Sequence, residues 1–184
     1  MRIISGQEKG RKLKAPKGFT TRPTTDRVKE AIFNILGDTV VNSAFLDLFG
    51  GSGAIAIEAI SRGAAKAVIS EKDTQALRII KENIASTGFG DKIRCLKLDA
   101  LVTIELLRKE GKKFNLIFLD PPYESGLITK SINAIEASGI LATGGYVVAE
   151  ASKKEELDLK TSVLSCVKKR AYGDTVIYIL QILN

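Results

Sequence analysis

From Ala44 onward the chain alternates short apolar runs with segments whose apolar residues recur every three or four positions. The runs predict strands near 44–48, 67–71, 93–98, 114–119 and 145–150. The intervening segments predict helices near 53–62, 73–87, 101–111 and 126–138, with a shorter one near 153–157. Gly63 and Gly88 stand just past the first two helices as stop signals. Such alternation predicts a doubly wound α/β fold, its parallel strands joined by right-handed crossovers. The end of the chain departs from it. Val163–Arg170 and Val176–Ile182 are β-rich runs joined around Tyr172-Gly173-Asp174-Thr175, so a hairpin is expected there, with the last strand inserted antiparallel. Upstream, Thr24-Thr25-Asp26 follows Pro23 as a helix start, and Val28, Ala31, Ile32, Ile35 and Leu36 form one apolar helical face closed by Gly37. Residues 1–23 mix cations with Gly6, Gly10, Gly18, Pro16 and Pro23. Apolar points at Ile3, Ile4, Leu13 and Phe19 predict a small hairpin that docks on a domain spanning 24–184.

Charge changes this picture in one place. The net charge is +7, and residues 1–29 hold nine Lys/Arg against two Asp/Glu, while the other 19 basic and 19 acidic residues cancel. A basic arm on a neutral body predicts a polyanion partner, most simply nucleic acid. Arg11, Lys12, Lys14, Arg22 and Arg27 are the candidate nucleic-acid contacts, and Lys29 falls on the same basic surface. The arm precedes the first strand of the body, so it is expected to hold the nucleic acid and not a cofactor. The chain contains no histidine, which excludes Ser-His and Cys-His catalysis and argues against a catalytic zinc, so no metal is expected. Cys95 and Cys166 lie far apart in apolar surroundings and read as reduced core cysteines. Without a long apolar span or a signal-like start, a cytoplasmic protein with no membrane partner is expected, and a monomer.

The candidate chemistry gathers at strand ends. Leu46 to Gly53 join the first strand of the body to its first helix; Phe49, Gly50, Gly51 and Gly53 form a loop that turns tightly and lets a ligand approach the backbone. Gly51 to Ala56 fit the dinucleotide pattern G-x-G-x-x-G/A, and Glu71 lies 20 residues beyond Gly51, where an acid holds a ribose. That much suits a nicotinamide cofactor and S-adenosylmethionine equally. Asp47 before the loop can receive an ammonium group, and Asp99, ending the third strand, can accept from an adenine amine. Asp120-Pro121-Pro122-Tyr123 follow the apolar run 114–119. An Asp in a turn usually accepts from the N–H two residues on, but here that residue is Pro122. Its carboxylate is therefore available to an outside donor beside the flat face of Tyr123. Four acids at successive strand ends suit a sulfonium-and-ammonium ligand better than a pyrophosphate.

Seven strands ending in a reversed hairpin make the Rossmann-like topology of class I methyltransferases, and the chain resembles one family of these along nearly its whole length. The marks are Arg2 to Gly6, Gly10 to Leu13, Arg22 to Glu30, Phe33 to Leu36, Leu46 to Gly53, Glu58 to Ala64, Asn83, and Asp120 to Tyr123. They are similar to the 16S ribosomal RNA guanine-N2 methyltransferases of the RsmD family. Gly50 stands where that family usually has alanine, which is expected to loosen the loop slightly. The resemblance implies S-adenosylmethionine as cofactor and a guanine of small-subunit ribosomal RNA as target, position 966 in the family, on assembled or nearly assembled particles.

An exocyclic nitrogen is a poor nucleophile because its lone pair is delocalised into the ring. Acceptors at Asp120 and the Pro121 carbonyl turn that lone pair toward the methyl group, while Tyr123 stacks on the base. The same acceptors suit adenine N6, cytosine N4 or a glutamine amide, so guanine rests on the resemblance. The alternatives are a DNA adenine-N6 methyltransferase, which usually carries a separate recognition domain, and a non-catalytic RNA-binding protein.

Overall fold

The computed structural model describes residues 1–15, 26–122, 125–155, 157, 159 and 163–182. One seven-stranded sheet runs through it: β1 Ala44–Asp47, β2 Lys66–Ser70, β3 Ile93–Leu96, β4 Phe114–Leu119, β5 Leu141–Ser152, β6 Leu164–Tyr172 and β7 Thr175–Ile182. The order is β3-β2-β1-β4-β5-β7-β6; β1 to β5 are parallel, and β7 is antiparallel to both neighbours. The last strand is thus antiparallel, as its pattern predicts, and the structure inserts it between β5 and β6.

Helices cover both faces. α1 (Asp26–Leu36), α2 (Ala54–Ser61) and α3 (Thr74–Thr87) share one apolar cluster with Phe45, Phe118, Ile177 and Ile179. α4 (Ala100–Lys109) and α5 (Leu127–Ser138) share another with Leu46, Ile117, Val147 and Tyr178. Adjacent strand residues point to opposite faces, so strands covered on both sides are built mainly from apolar residues, as β1 is up to Asp47 and β4 is apart from Asn115. α2 is buried on every side. A helix apolar all round must be enclosed, and the first residues of the chain provide the outer cover.

Two elements and both cysteines depart from the expected picture. β5 starts at Leu141, because Gly144 and Gly145 lie inside a strand whose register against β4 shifts between Phe114 and Leu116. A Cβ at Gly145 would stand 2.8 Å from the Asn115 carbonyl oxygen, so the bulge requires the glycine that breaks the apolar pattern. The helix expected near 153–157 is replaced by a turn at Lys153 and Lys154: β5 stays paired with β7 as far as Ser152, and Lys153 N–H is taken by Asp174 O at 2.8 Å. Of the two cysteines, Cys95 is half-buried and Cys166 is exposed on the edge strand β6, so neither is a core residue.

Residues 1–13 form the expected hairpin. Ile3 N–H donates to Arg11 O at 2.9 Å, Gly10 N–H to Ile3 O at 2.8 Å and Leu13 N–H to Met1 O at 3.0 Å. Ile3 and Leu13 enter the cluster around α1 and α2. Gly6 lies so close to the end of α2 that a Cβ there would overlap Ser61 O at 1.8 Å. Phe19, and with it the rest of the expected docking, lies outside the described residues.

Candidate active site

The glycine loop is held by backbone bonds to strands on both sides of β1. Leu48 N–H donates to Phe118 O at 3.1 Å and Gly50 N–H to Ser70 O at 2.9 Å. Gly51 and Gly53 have φ of 54° and 77°, the left-handed region that favours glycine, and Gly53 caps α2. Gly50 does not loosen this loop. A Cβ there would come within 2.5 Å of Ile69 Cγ2 and 3.2 Å of Ser70 O, so its lack of a side chain lets the loop pack tightly on β2.

Over the carboxyl ends of β1 to β4 lies a cavity of about 450 Å³, lined by Asp47, Phe49, Gly50, Gly51, Glu71, Asp99, Asp120 and Pro121. The placement follows from the register: Asp47 pairs with Ile69 on β2 and Phe118 on β4, so Glu71 and Asp120 each lie two residues beyond Asp47's partner. Among the predicted site residues, Gly53 sits behind the cavity wall and Tyr123 lies outside the described residues.

The four acids differ in environment. Asp47 is buried and accepts from Phe49 N–H at 3.2 Å. Burial pushes its carboxyl up to about 7, with the Phe49 N–H opposing and the Glu71 charge adding to the rise. Glu71 accepts from Gly51 N–H at 2.9 Å and Asp73 N–H at 2.8 Å, tying the loop to the start of α3. Asp99 does not end β3; it lies three residues past it, as the exposed N-cap of α4, accepting from Val102 N–H at 3.0 Å. Its loop is fastened by Ser70, whose hydroxyl donates to Leu98 O at 2.9 Å and lies 2.7 Å from Thr103 Oγ1. Asp120 is half-buried just past β4. An anionic pyrophosphate here would face four carboxylates; a cationic ligand meets a buried acid with a single N–H partner among the described residues.

The N-terminal hairpin belongs to this cavity, contrary to expectation. Met1, Ala15 and Lys29 line it, and Met1 Sδ is 3.3 Å from Ser52 Oγ. Asn83 on α3 makes the tightest tie. Its side chain accepts from Lys14 N–H at 2.8 Å and donates to Lys14 O at 3.0 Å and Ser52 O at 2.9 Å. Lys29 is not on the surface either. It is 1% exposed, 3.3 Å from Glu58 on α2, which is itself fully buried, and its ammonium also donates to Arg2 O. Glu58 further accepts from Ile4 N–H at 2.8 Å, Ser5 N–H at 3.0 Å and Arg62 Nε at 2.8 Å. The apolar stripe of α1 is accordingly rotated: Lys29 and Phe33 face inward, while Ala31 and Ile35 are only half-buried. The one available signal is a lone acid, Glu58, inside an otherwise apolar helix.

Of the candidate RNA contacts among the described residues, none lines the cavity. Arg11 is paired with Glu8, and Lys14 with Glu82 at 2.8 Å. Lys12 and Arg27 are exposed, and Arg22 lies outside the described residues.

Comparison with known proteins places this geometry. Residues 1–181 match the family described as "Conserved hypothetical protein 95". The chain is 35% identical over 181 residues to "Ribosomal RNA small subunit methyltransferase D" of Escherichia coli K12, covering 98% of this chain and 89% of that one. A Thermus thermophilus structure described only as a hypothetical protein superposes with a TM-score of 0.85 at 33% identity, covering 99% of each chain. A Salinibacter ruber RNA methyltransferase, solved with S-adenosyl-L-homocysteine, has the same fold at 18% identity, with a TM-score of 0.67 over 88% of this chain and 94% of that one. With the match running from the hairpin at Met1 to β7, the chain belongs to the RsmD family of Rossmann-like methyltransferases.

Proposed function

We propose that the protein transfers a methyl group from S-adenosylmethionine to the exocyclic N2 of a guanine in the 16S ribosomal RNA of the small subunit. One observation carries this reading: a single cavity holds the buried Asp47 and the glycine loop on one side and Asp120-Pro121 on the other. The named activity of the E. coli relative supports the RNA substrate, and the family resemblance supports guanine and its position. The residues fit the cofactor. Asp47 would take its ammonium group, Glu71 its ribose diol and Asp99 its adenine amine, while Gly50 and Gly51 let it lie against the loop. When bound, the cofactor supplies a sulfonium-activated methyl group.

The chain's own part is positioning and charge. Asp120 and the Pro121 carbonyl accept from the guanine NH₂, directing the nitrogen lone pair at the methyl group and stabilising the positive charge that develops. Tyr123 is the residue type that stacks on a flipped or unpaired base. Asp120→Ala is expected to lower turnover by on the order of a hundredfold or more while leaving cofactor affinity nearly intact. Mass spectrometry of ribosomal RNA from cells with the wild-type protein, the variant and neither gives the target base directly. An added methyl on an adenine or cytosine, or none at all, would end the guanine reading.

Asp47 gives the cofactor a pH dependence. Its folded carboxyl titrates near 7 against an ordinary 3.8, so the folded chain holds a proton there that the unfolded chain releases. Asp47 therefore lowers stability as pH rises from about 4 to 7, and an ammonium group that needs the ionised form binds better over the same rise. Calorimetry should show S-adenosylmethionine affinity increasing about fivefold from pH 6 to pH 7, because the ionised fraction grows by that factor while the ligand's α-amino group stays protonated. Asp47→Asn should bind weakly at both values; a variant that keeps the rise would locate the titrating group elsewhere.

A further inference from the structure

Much of the arm's positive charge is already engaged. Arg2 pairs with Asp26, Arg11 with Glu8, Lys14 with Glu82 and Lys29 with Glu58. The outer strand β6 is different. Cys166 to Ala171 are all exposed, and among the described residues no acid forms an ion pair with Lys168 or Arg170. Lys168 stands opposite Ile179 and Arg170 opposite Ile177, and directly opposed residues project to the same face of a sheet. Ile177 and Ile179 pack in the cluster of α1, so both cations lie on the face that carries α1, whose first turn exposes Arg27. Lys153 and Lys154 join them at the tip, where Lys153 N–H bonds Asp174 O at 2.8 Å. The charge count along the chain hides this patch, because Glu155, Glu156 and Asp158 offset most of it in sequence.

The patch is placed where a substrate strand would leave the cavity. The tip of the β6–β7 hairpin lies at the carboxyl end of β5, the same end of the sheet as Asp120 at the close of β4. The strand order puts β6 on the far side of Asp120 from the glycine loop, three strands over, or about 15 Å at the usual spacing. The candidate cofactor residues follow β1 to β3, so a nucleotide strand reaching Asp120 approaches from the β5-β7-β6 side. We propose that Lys168 and Arg170, with Lys153 and Lys154 at the tip, bind the phosphates of the ribosomal RNA strand flanking the target base. The inference rests on the RNA reading above. Its rival is edge protection, since charges on an outer strand discourage pairing with another chain.

The test is Lys168→Ala/Arg170→Ala in the full chain, with 16S ribosomal RNA in small-subunit particles as probe. Each phosphate left without its cation should lower the slope of log affinity against log salt by about one unit, so a drop of about two is expected for the pair. Melting temperature and S-adenosylmethionine affinity should stay as in the wild type. If the wild type itself binds no such particle, the RNA reading falls and this inference with it. If the wild type binds and the variant keeps the same affinity and slope, the inference alone is overturned, and self-association of the variant in light scattering would identify edge protection as the role of these cations.

Discussion

Glu58→Ala is expected to lower the melting temperature by on the order of 10 °C. Glu58 is fully buried and tied to three elements: it is ion-paired with Lys29 on α1, and accepts from Ile4 and Ser5 of the hairpin and from Arg62 at the end of its own helix. Removing one partner of a buried ion pair leaves the other charge without compensation in low dielectric, at about 3–5 kcal/mol. For a domain of this size each kcal/mol moves the midpoint by about 2–4 °C. The loss should be lopsided, because the amides of Ile4 and Ser5 also lose their acceptor, and limited proteolysis should cut residues 1–15 before the sheet. The double variant Glu58→Leu/Lys29→Met should recover part of the loss, since apolar replacement of a whole buried pair is often near neutral. A melting curve unchanged in the single variant would mean that water reaches the pair and that the hairpin is held by its apolar contacts alone.

That pair also shows where the sequence is legible and where it is not. The parallel strands and the antiparallel insertion can be read because strands buried on both faces are built mainly from apolar residues, and the hairpin at 172–175 breaks that run with a turn. The cavity acids can be read because the glycine loop fixes the carboxyl end of β1, and parallel register then places Glu71 and Asp120 beside it. Lys29 cannot. A lysine on an amphipathic helix is ordinarily solvated, and its burial depends on an acid 29 residues further along that only the fold brings opposite. The arm's place at the cavity is hidden for the same reason. Its cations are visible in the sequence, but the ties that make it a wall of the cavity are backbone groups of Lys14 and side-chain atoms of Asn83, which carry no charge. Cys166 reads as core from an apolar neighbourhood that turns out to be an exposed edge strand.

Asn83→Ala should therefore weaken the cofactor site from outside it. Asn83 is buried, and its amide joins Lys14 of the hairpin to Ser52 of the glycine loop through three hydrogen bonds. Alanine leaves one N–H and two carbonyls without that partner, a loss on the order of 3 kcal/mol once solvent has satisfied some of them. Part of it falls on the loop, because Ser52 lies between Gly51 and Gly53, and glycines leave that backbone more freedom to lose its shape once the tie is gone. A loop disordered by about 1.4 kcal/mol binds about tenfold less tightly, so S-adenosylmethionine affinity should fall by at least that much although Asn83 does not line the cavity. Asn83→Asp should be worse still, since it keeps the acceptor for Lys14 N–H but turns a carboxylate toward the carbonyls of Lys14 and Ser52. Lys14→Ala is the control: it removes an exposed ion pair with Glu82, an interaction of a kind that contributes little, and keeps every backbone tie. Calorimetry on the three variants separates the two roles of the arm. Weak cofactor binding in both Asn83 variants with wild-type binding in Lys14→Ala places the coupling in the backbone clamp, whereas wild-type affinity in Asn83→Ala would show that the hairpin and the glycine loop are held independently.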